Sequence, residues 1–339
     1  MTALRFTRRA VALAMPLVTS YGTLTHRTLF DVELEGDDGV IGRGEAAPLE
    51  PYDSVPDGAV AAALTLYAEV LREHGDDVPG HLLLDACRAA AELPEALAAV
   101  DLAMWDRAGR RTGRPVRDLL GQDGLGLVAV NATVGALAPA AAAEAAARAA
   151  ADGFACVKLK VGTPEDRTRV AAVREAMGPE PALRLDANGA WSVEQAVEMI
   201  GDLAGAGLEL VEEPVHGLEA VRAVRDRVTA RVSIDESAAA PGALTARVAD
   251  AVCLKISRCG GIAGLVSQAT LVRATGADVY VASTYDGPLG IAAAVHAAAA
   301  LRVGLPCGLA TLGGLELEAP EALRVGEGVI AVPAGPGLL

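Results

Sequence analysis

No CxxC pair occurs among the five cysteines of this 339-residue chain, and their number is odd. That argues against a disulfide framework and against a thiolate zinc site of the usual spacing. Cys87, Cys156, Cys253, Cys259 and Cys307 mostly sit in apolar runs, where buried reduced thiols are expected, and reduced thiols favour the cytoplasm. No run approaches the roughly 20 uninterrupted apolar residues of a membrane span. None of the five histidines stands at an HxxxH spacing, and His216 reads as a loop residue. Positive charge is in deficit too: the formal net charge is −15. Long-range repulsion then opposes nucleic acid and anionic membrane surfaces as partners, and an anionic ligand would need a local reversal of that field.

What is present is an apolar chain, 52% hydrophobic and long enough for a large barrel or for two domains. Arg8 and Arg9 precede an apolar run over 10–18 that could imitate a leader. The run is short, Pro16 interrupts it, and Val11, Leu13 and Met15 alternate as a half-buried strand does. Residues 1 to about 125 read as α+β. Strand patterns cover 4–17 and 28–34, a turn falls at Asp37-Asp38-Gly39, loops occupy 42–56, and helical patterns follow over 58–74 and 95–111. From about 127 the texture becomes repeated βα, with strands expected at 127–134, 156–161, 183–186, 208–213, 232–235, 252–256, 279–282 and 307–310. Eight apolar strands with seven intervening helices suit an α/β parallel barrel buried on both faces. The alanine-dense stretch 139–151 fits a helix packed on that barrel.

Ionisable residues recur at the C-terminal ends of five consecutive strands, the rim where such barrels build their sites. They are Lys158 and Lys160 (VKLKVG), Asp186 and Asn188 (RLDANG), Glu212 and Glu213 (VEEP), Asp235 and Glu236 (SIDES), and Lys255 (LKISRCGG). Carboxylates of Asp186, Glu212 and Asp235 would converge from neighbouring strands, and without a cation at least one would be driven to hold its proton. Three oxygen ligands with room for water and substrate suit Mg²⁺ better than zinc. Lys160 and Lys255, four strands apart, would face each other across that metal, each able to reach the α-carbon of a bound carboxylate. Lys158 and the cation are expected to lower the pKa of Lys160 so that its amine acts as base, while the metal stabilises the enediolate.

At these residues the chain resembles the enolase superfamily, and within it the muconate-lactonizing-enzyme subgroup, over nearly its whole length. The KxK at Lys158 and Lys160, DxN at Asp186 and Asn188, EEP at 212–214, DES at 235–237 and the lysine of LKISRCGGI carry the resemblance. It implies a (β/α)7β TIM-like barrel over 126–311 and an α+β capping domain over 1–125, completed by about 312–339. It also implies Asp186, Glu212 and Asp235 as Mg²⁺ ligands, with Lys160 and Lys255 as acid/base pair and Lys158 beside them. Cap loops over 19–22 and 47–52 would set specificity, so Ser20, Tyr21 and Tyr52 join Asn188, Ser283 and Asp286 as expected substrate contacts. PCGLATLGG, TSYGTLTHR and GEAAPLEPY resemble o-succinylbenzoate synthases most, which implies a dehydration. N-acylamino acid racemisation, dipeptide epimerisation and muconate-type cycloisomerisation are the alternatives on the same machinery. The expected partners are a small-molecule carboxylate and further copies of the chain in a homo-oligomer.

Overall fold

The computed structural model describes residues 2–19, 22–121 and 123–339. The N-terminal part is a meander: β1 (Ala3–Thr19) pairs antiparallel with β2 (Gly22–Glu35), and β2 with β3 (Ile41–Ala46). The arginine-led apolar run lies inside β1, and a register shift between Ala12 and Leu17 marks a bulge beside Pro16, which cannot donate to the ladder. Phe30, Val32 and Leu34 alternate onto one buried face of β2. Against that face lie α2 (Asp57–Glu73), α3 (Gly80–Ala90) and α4 (Pro94–Thr112), through Leu64, Tyr67, Leu83 and Val100; α1 (Glu50–Asp53) is a single turn that precedes them, and α5 (Val116–Leu120) follows. Gly42 and Gly44 allow β3 to lie so close to α4 that any Cβ there would overlap the carbonyl oxygens of Ala103 and Ala99.

The second part is a curled parallel sheet. After β4 (Leu127–Ala129) come β5 (Ala132–Val134), α6 (Pro139–Ala151), β6 (Cys156–Lys160), α7 (Asp166–Met177), β7 (Ala182–Asp186), α8 (Val193–Leu203), β8 (Leu208–Glu212), α9 (Leu218–Arg225) and β9 (Val232–Ile234). Then follow β10 (Ala251–Lys255), α10 (Ile262–Ala274), β11 (Asp278–Ala282) and α11 (Pro288–Ala300). The sheet order is β11-β10-β9-β8-β7-β6-β5. Parallel bridges Ala282–Gly308 and Val130–Cys307 join its two ends through a very short eighth strand.

The structure corrects the sequence reading in two places. The expected first strand is split: β4 pairs antiparallel with β13 (Val329–Ala331), itself paired with β12 (Val325–Gly326), and only β5 enters the parallel sheet. The division falls at Val130-Asn131, whose N–H groups donate to Gly328 and Cys307. The connection from β9 to β10 holds two 3₁₀ turns, 236–239 and 243–245, and no α-helix, since Pro241-Gly242 interrupts its middle. The C-terminal segment returns to the first part as well: Leu315 bridges Leu13, and the Leu338 N–H donates to Asp106 Oδ1 at 2.8 Å. No helix of the described residues is long and apolar enough to cross a membrane.

Candidate active site

Side chains two apart on a strand share a face, so β6 directs Lys158 and Lys160 together into the barrel while Val157 and Leu159 fill the core between layers. In-register pairing then sets Lys160 beside Asp186 on β7, and Asp186 beside Glu212 on β8. Lys158 Nζ donates to Asp186 Oδ2 at 2.9 Å and to Glu212 Oε1 at 3.0 Å. Lys160 Nζ donates to the same Asp186 oxygen at 2.6 Å and to Asn188 Oδ1 at 2.6 Å. A carboxylate oxygen therefore stands between the two ammonium groups, which is how like charges on one face are accommodated. Burial alone would lower the pKa of Lys158, but Asp186 and Glu212 hold it well above the ordinary lysine value. Burial would raise Asp186, and the two lysines instead hold it well below the carboxylate range. Glu212 is pushed up by burial and by the neighbouring Asp186.

Across the barrel, Lys255 at the end of β10 makes a short ion pair with Asp235, which directly follows β9. Burial opposes its charge, but Asp235 holds the ammonium well above its usual value. The chain contains three lysines in all, and every one of them stands here. Asp186, Glu212 and Asp235 are buried (1%, 0% and 9% exposed), as are Lys158 and Lys255, whereas Lys160 is half-buried at the open side of the cluster. Those acids are oxygen donors on consecutive strands, a donor chemistry that suits a hard divalent cation such as Mg²⁺, while the ligand atoms within 4.8 Å of one another are those of Glu212, Asp235 and Cys253.

Glu213 and Tyr280 hold this arrangement in place, with Cys253 below it, and sequence reasoning gave none of the three a role. Glu213 has a positive φ of 40° that turns its side chain toward the fifth-strand loop. Its carboxylate accepts the Asp235 N–H at 2.8 Å, the Ser237 N–H at 3.1 Å and the Ser237 hydroxyl, so it fixes the loop that carries Asp235. Tyr280 donates its hydroxyl to Glu212 Oε2 at 2.8 Å. Cys253, two residues before Lys255 and on the same inward face, lies beneath both Glu212 and Asp235. The repeated acid in the VEEP motif and the period of two in β10 were the signals available for Glu213 and Cys253.

Of the expected substrate contacts, Asn188 and Tyr52 reach the lysines. Asn188 accepts from Lys160 and donates to Glu236 Oε1 at 2.9 Å. Tyr52 descends from α1, and its hydroxyl donates to Asp235 Oδ1 at 3.0 Å and accepts from Lys255 Nζ at 2.9 Å. Ser283 is engaged by its own loop and by the segment after the eighth strand: its Oγ accepts the Tyr285 N–H at 2.9 Å and lies 2.8 Å from Thr311 Oγ1. Asp286 has its carboxylate buried in the seam between β2–β3 and the barrel, where it accepts the Thr284 N–H at 3.2 Å and faces the charge of Arg27 and, more weakly, that of Lys255. Ser20 and Tyr21 lie outside the described residues. His216 is exposed on its loop, 3.5 Å from Glu213. All five cysteines are buried and free. A cavity of about 540 Å³ opens beside the site, with Asp235, Lys255, Arg258, Glu95 and Asp53 on its walls.

Family models bring the two halves of the chain together. The N-terminal domain of mandelate racemase/muconate lactonizing enzyme matches residues 1–121, and the enolase C-terminal domain-like family matches 140–338. A hydrophobic dipeptide epimerase of Enterococcus faecalis is 32% identical over 346 residues, covering 94% of each chain. An o-succinylbenzoate synthase of Thermobifida fusca is 40% identical over 208 residues, covering 58% of this chain and 61% of the other. The structure of dipeptide epimerase from E. faecalis V583, complexed with Mg and the dipeptide L-Leu-L-Tyr, superposes with a TM-score of 0.92 at 27% identity, covering 99% of this chain and 98% of that one. With both models matched in order, the chain belongs to the enolase superfamily, within its muconate-lactonizing-enzyme subgroup, and is an isomerase or lyase.

Proposed function

We propose that the chain removes the proton α to the carboxylate of an N-acylated α-amino acid and returns one on the opposite face, so that it racemises or epimerises that carbon. The observation that carries this is the placement of Lys160 and Lys255 on β6 and β10, four strands apart in the sheet, with the acids between them. A planar carbanion between two such groups can be reprotonated from either side, so one lysine acts as base and the other as acid. Asp186, Glu212 and Asp235 would hold Mg²⁺, which when bound supplies the positive charge that binds the substrate carboxylate and stabilises the enediolate. Lys158, fixed by β6 behind Lys160, adds a positive charge that does not move during the reaction. Tyr52 lies over Lys255, its hydroxyl accepting from the ammonium group at 2.9 Å, and so helps to orient it. Full-length similarity to dipeptide epimerases supports the class, because in a dipeptide the C-terminal residue is itself an N-acylated amino acid.

A second reading is the syn-dehydration of an o-succinylbenzoate synthase. The higher identity to such a synthase over the matched stretch favours it, as does the eighth strand, where Gly308-Leu309-Ala310 offers no carboxylate to a distal ammonium group. One experiment separates the two. The protein with Mg²⁺ is incubated in D₂O with N-succinyl and dipeptide substrates, and separately with the cyclohexadiene carboxylate that dehydrates to o-succinylbenzoate. Deuterium at the α-carbon with inversion supports the first reading. Dehydration alone, with no α-deuteration of any acylated amino acid, replaces it with the second.

A further inference from the structure

We propose that Cys253 gives this centre a second mode of cation binding, in which a thiophilic divalent ion such as Zn²⁺, Co²⁺ or Cd²⁺ is held by Glu212, Asp235 and the Cys253 thiolate. The inference deepens the reading above, since it rests on the same two carboxylates as the Mg²⁺ set. One ligand atom from each of these three buried residues lies within 4.8 Å of the other two, and this is the one such group among the described residues. Metal bonds of about 2.0 to 2.3 Å to oxygen and sulfur span most of that separation, so small side-chain rotations close the set. The three donors come from neighbouring parts of one wall: Glu212 from β8, Asp235 from the end of β9, Cys253 from β10. Tyr280 holds Oε2 of Glu212 and Lys158 holds Oε1 at 3.0 Å, so the ion takes Oε1 in place of Lys158, which keeps Asp186 as its partner.

The chemistry of the donors selects the ion. Carboxylate oxygens alone favour hard Mg²⁺, whereas a thiolate adds affinity for softer ions and little for Mg²⁺. As the metal–sulfur bond forms, the thiol proton passes to solvent. Asp186 is left with Lys158 and Lys160 in this mode, whereas Lys255 Nζ, 4.0 Å from Cys253 Sγ and paired with Asp235, loses its partner to the ion. Glu212 and Asp235 serve both modes, so the two ions exclude each other, and the thiophilic ion inhibits by unseating Lys255. No other cysteine among the described residues stands in such a group: Cys156 has Glu209 at 3.9 Å and Cys259 has Gln268 at 3.2 Å.

The test uses the full chain stripped of metal and titrated with CdCl₂, read by the ultraviolet thiolate-to-cadmium charge-transfer band. One equivalent should produce the band in the wild type, Mg²⁺ should reverse it competitively, and Cys253→Ala should remove it while its Mg²⁺ affinity by calorimetry stays within about twofold of wild type. No band in the wild type, or a band of equal height in the variant, overturns the proposal. Should Cys253→Ala fail to fold by circular dichroism, Co²⁺ added to the wild type decides the matter: a thiolate-to-cobalt band that Mg²⁺ displaces supports the site, and a band that survives saturating Mg²⁺ overturns it. Failure of the Mg²⁺ reading has a separate signature, a wild-type protein that shows the cadmium band and no calorimetric Mg²⁺ binding.

Discussion

Replacing Lys158 with methionine keeps the length and volume of the side chain and removes its charge, so the consequence can be worked from its contacts. In the protein without metal, Lys158 Nζ is shared by Asp186 and Glu212 at 2.9 and 3.0 Å, both carboxylates being buried. After the change Asp186 retains Lys160, and Glu212 retains the Tyr280 hydroxyl. One carboxylate is then uncompensated in the interior, and breaking a buried pair in this way costs about 3–5 kcal/mol. The carboxyl can escape by taking up a proton. Because Asp186 is held below the carboxylate range in the wild type, its contribution is present above the unfolded pKa of about 3.9 and lost only well below it. The carboxylate left without a cation is that of Glu212, which burial and Asp186 already push up, so the deficit of Lys158→Met should be largest at high pH and shrink as pH falls and Glu212 takes up a proton. Mg²⁺ should narrow it as well, since an ion no longer competes with the lysine for the acids and binds the variant more tightly. Urea unfolding at several pH values, with and without Mg²⁺, measures all three effects. A variant within about 1 kcal/mol of wild type without metal, and equally responsive to Mg²⁺, would refute the reasoning.

Glu45 is buried against Gly287 and beside Asp286, and burial pushes its carboxyl up to about 8. It takes up a proton on folding, so stability should fall as pH rises from about 4.3 toward 8, and Glu45→Gln should flatten that slope in urea titrations. Tyr52→Phe removes one hydroxyl between Lys255 and Asp235; KM or substrate preference should change, whereas calorimetric Mg²⁺ affinity should stay within about threefold of wild type. Glu213→Ala releases the loop bearing Asp235, so Mg²⁺ affinity should drop by about tenfold or more, a second-layer effect that Asp186→Asn should exceed with loss of activity.

Much of the barrel was legible because its strands are largely apolar and five consecutive ones end at ionisable residues that a core cannot explain. The strand at 127–134 was misread because β4 and β5 form one apolar stretch, and the break at Val130-Asn131 arises from long-range partners at Gly328 and Cys307. Helix α3 escaped notice since only Leu83, Leu84 and Cys87 of its short span are buried, behind the breaking pair Pro79-Gly80. The lysines and acids of the site could be placed by counting βα units, because strand register carries them to one rim. The partners of Asp286 could not, since only the fold brings the Thr284 N–H and the Arg27 guanidinium of β2 to its carboxylate. The pKa of Lys158 was likewise out of reach, because the Asp186 oxygen between the two ammonium groups is a product of register between β6 and β7.

The opposed lysines are tested most directly by single-lysine exchange. Wild type, Lys160→Ala and Lys255→Ala, each with Mg²⁺ in D₂O, are given each enantiomer of one N-acylated amino acid, and α-proton loss is followed by proton NMR. If the two lysines work from opposite faces, the wild type exchanges both enantiomers, and each variant loses exchange with a different one of them while neither interconverts the pair. Exchange of both enantiomers by either variant, or loss of the same enantiomer by both, would contradict that arrangement.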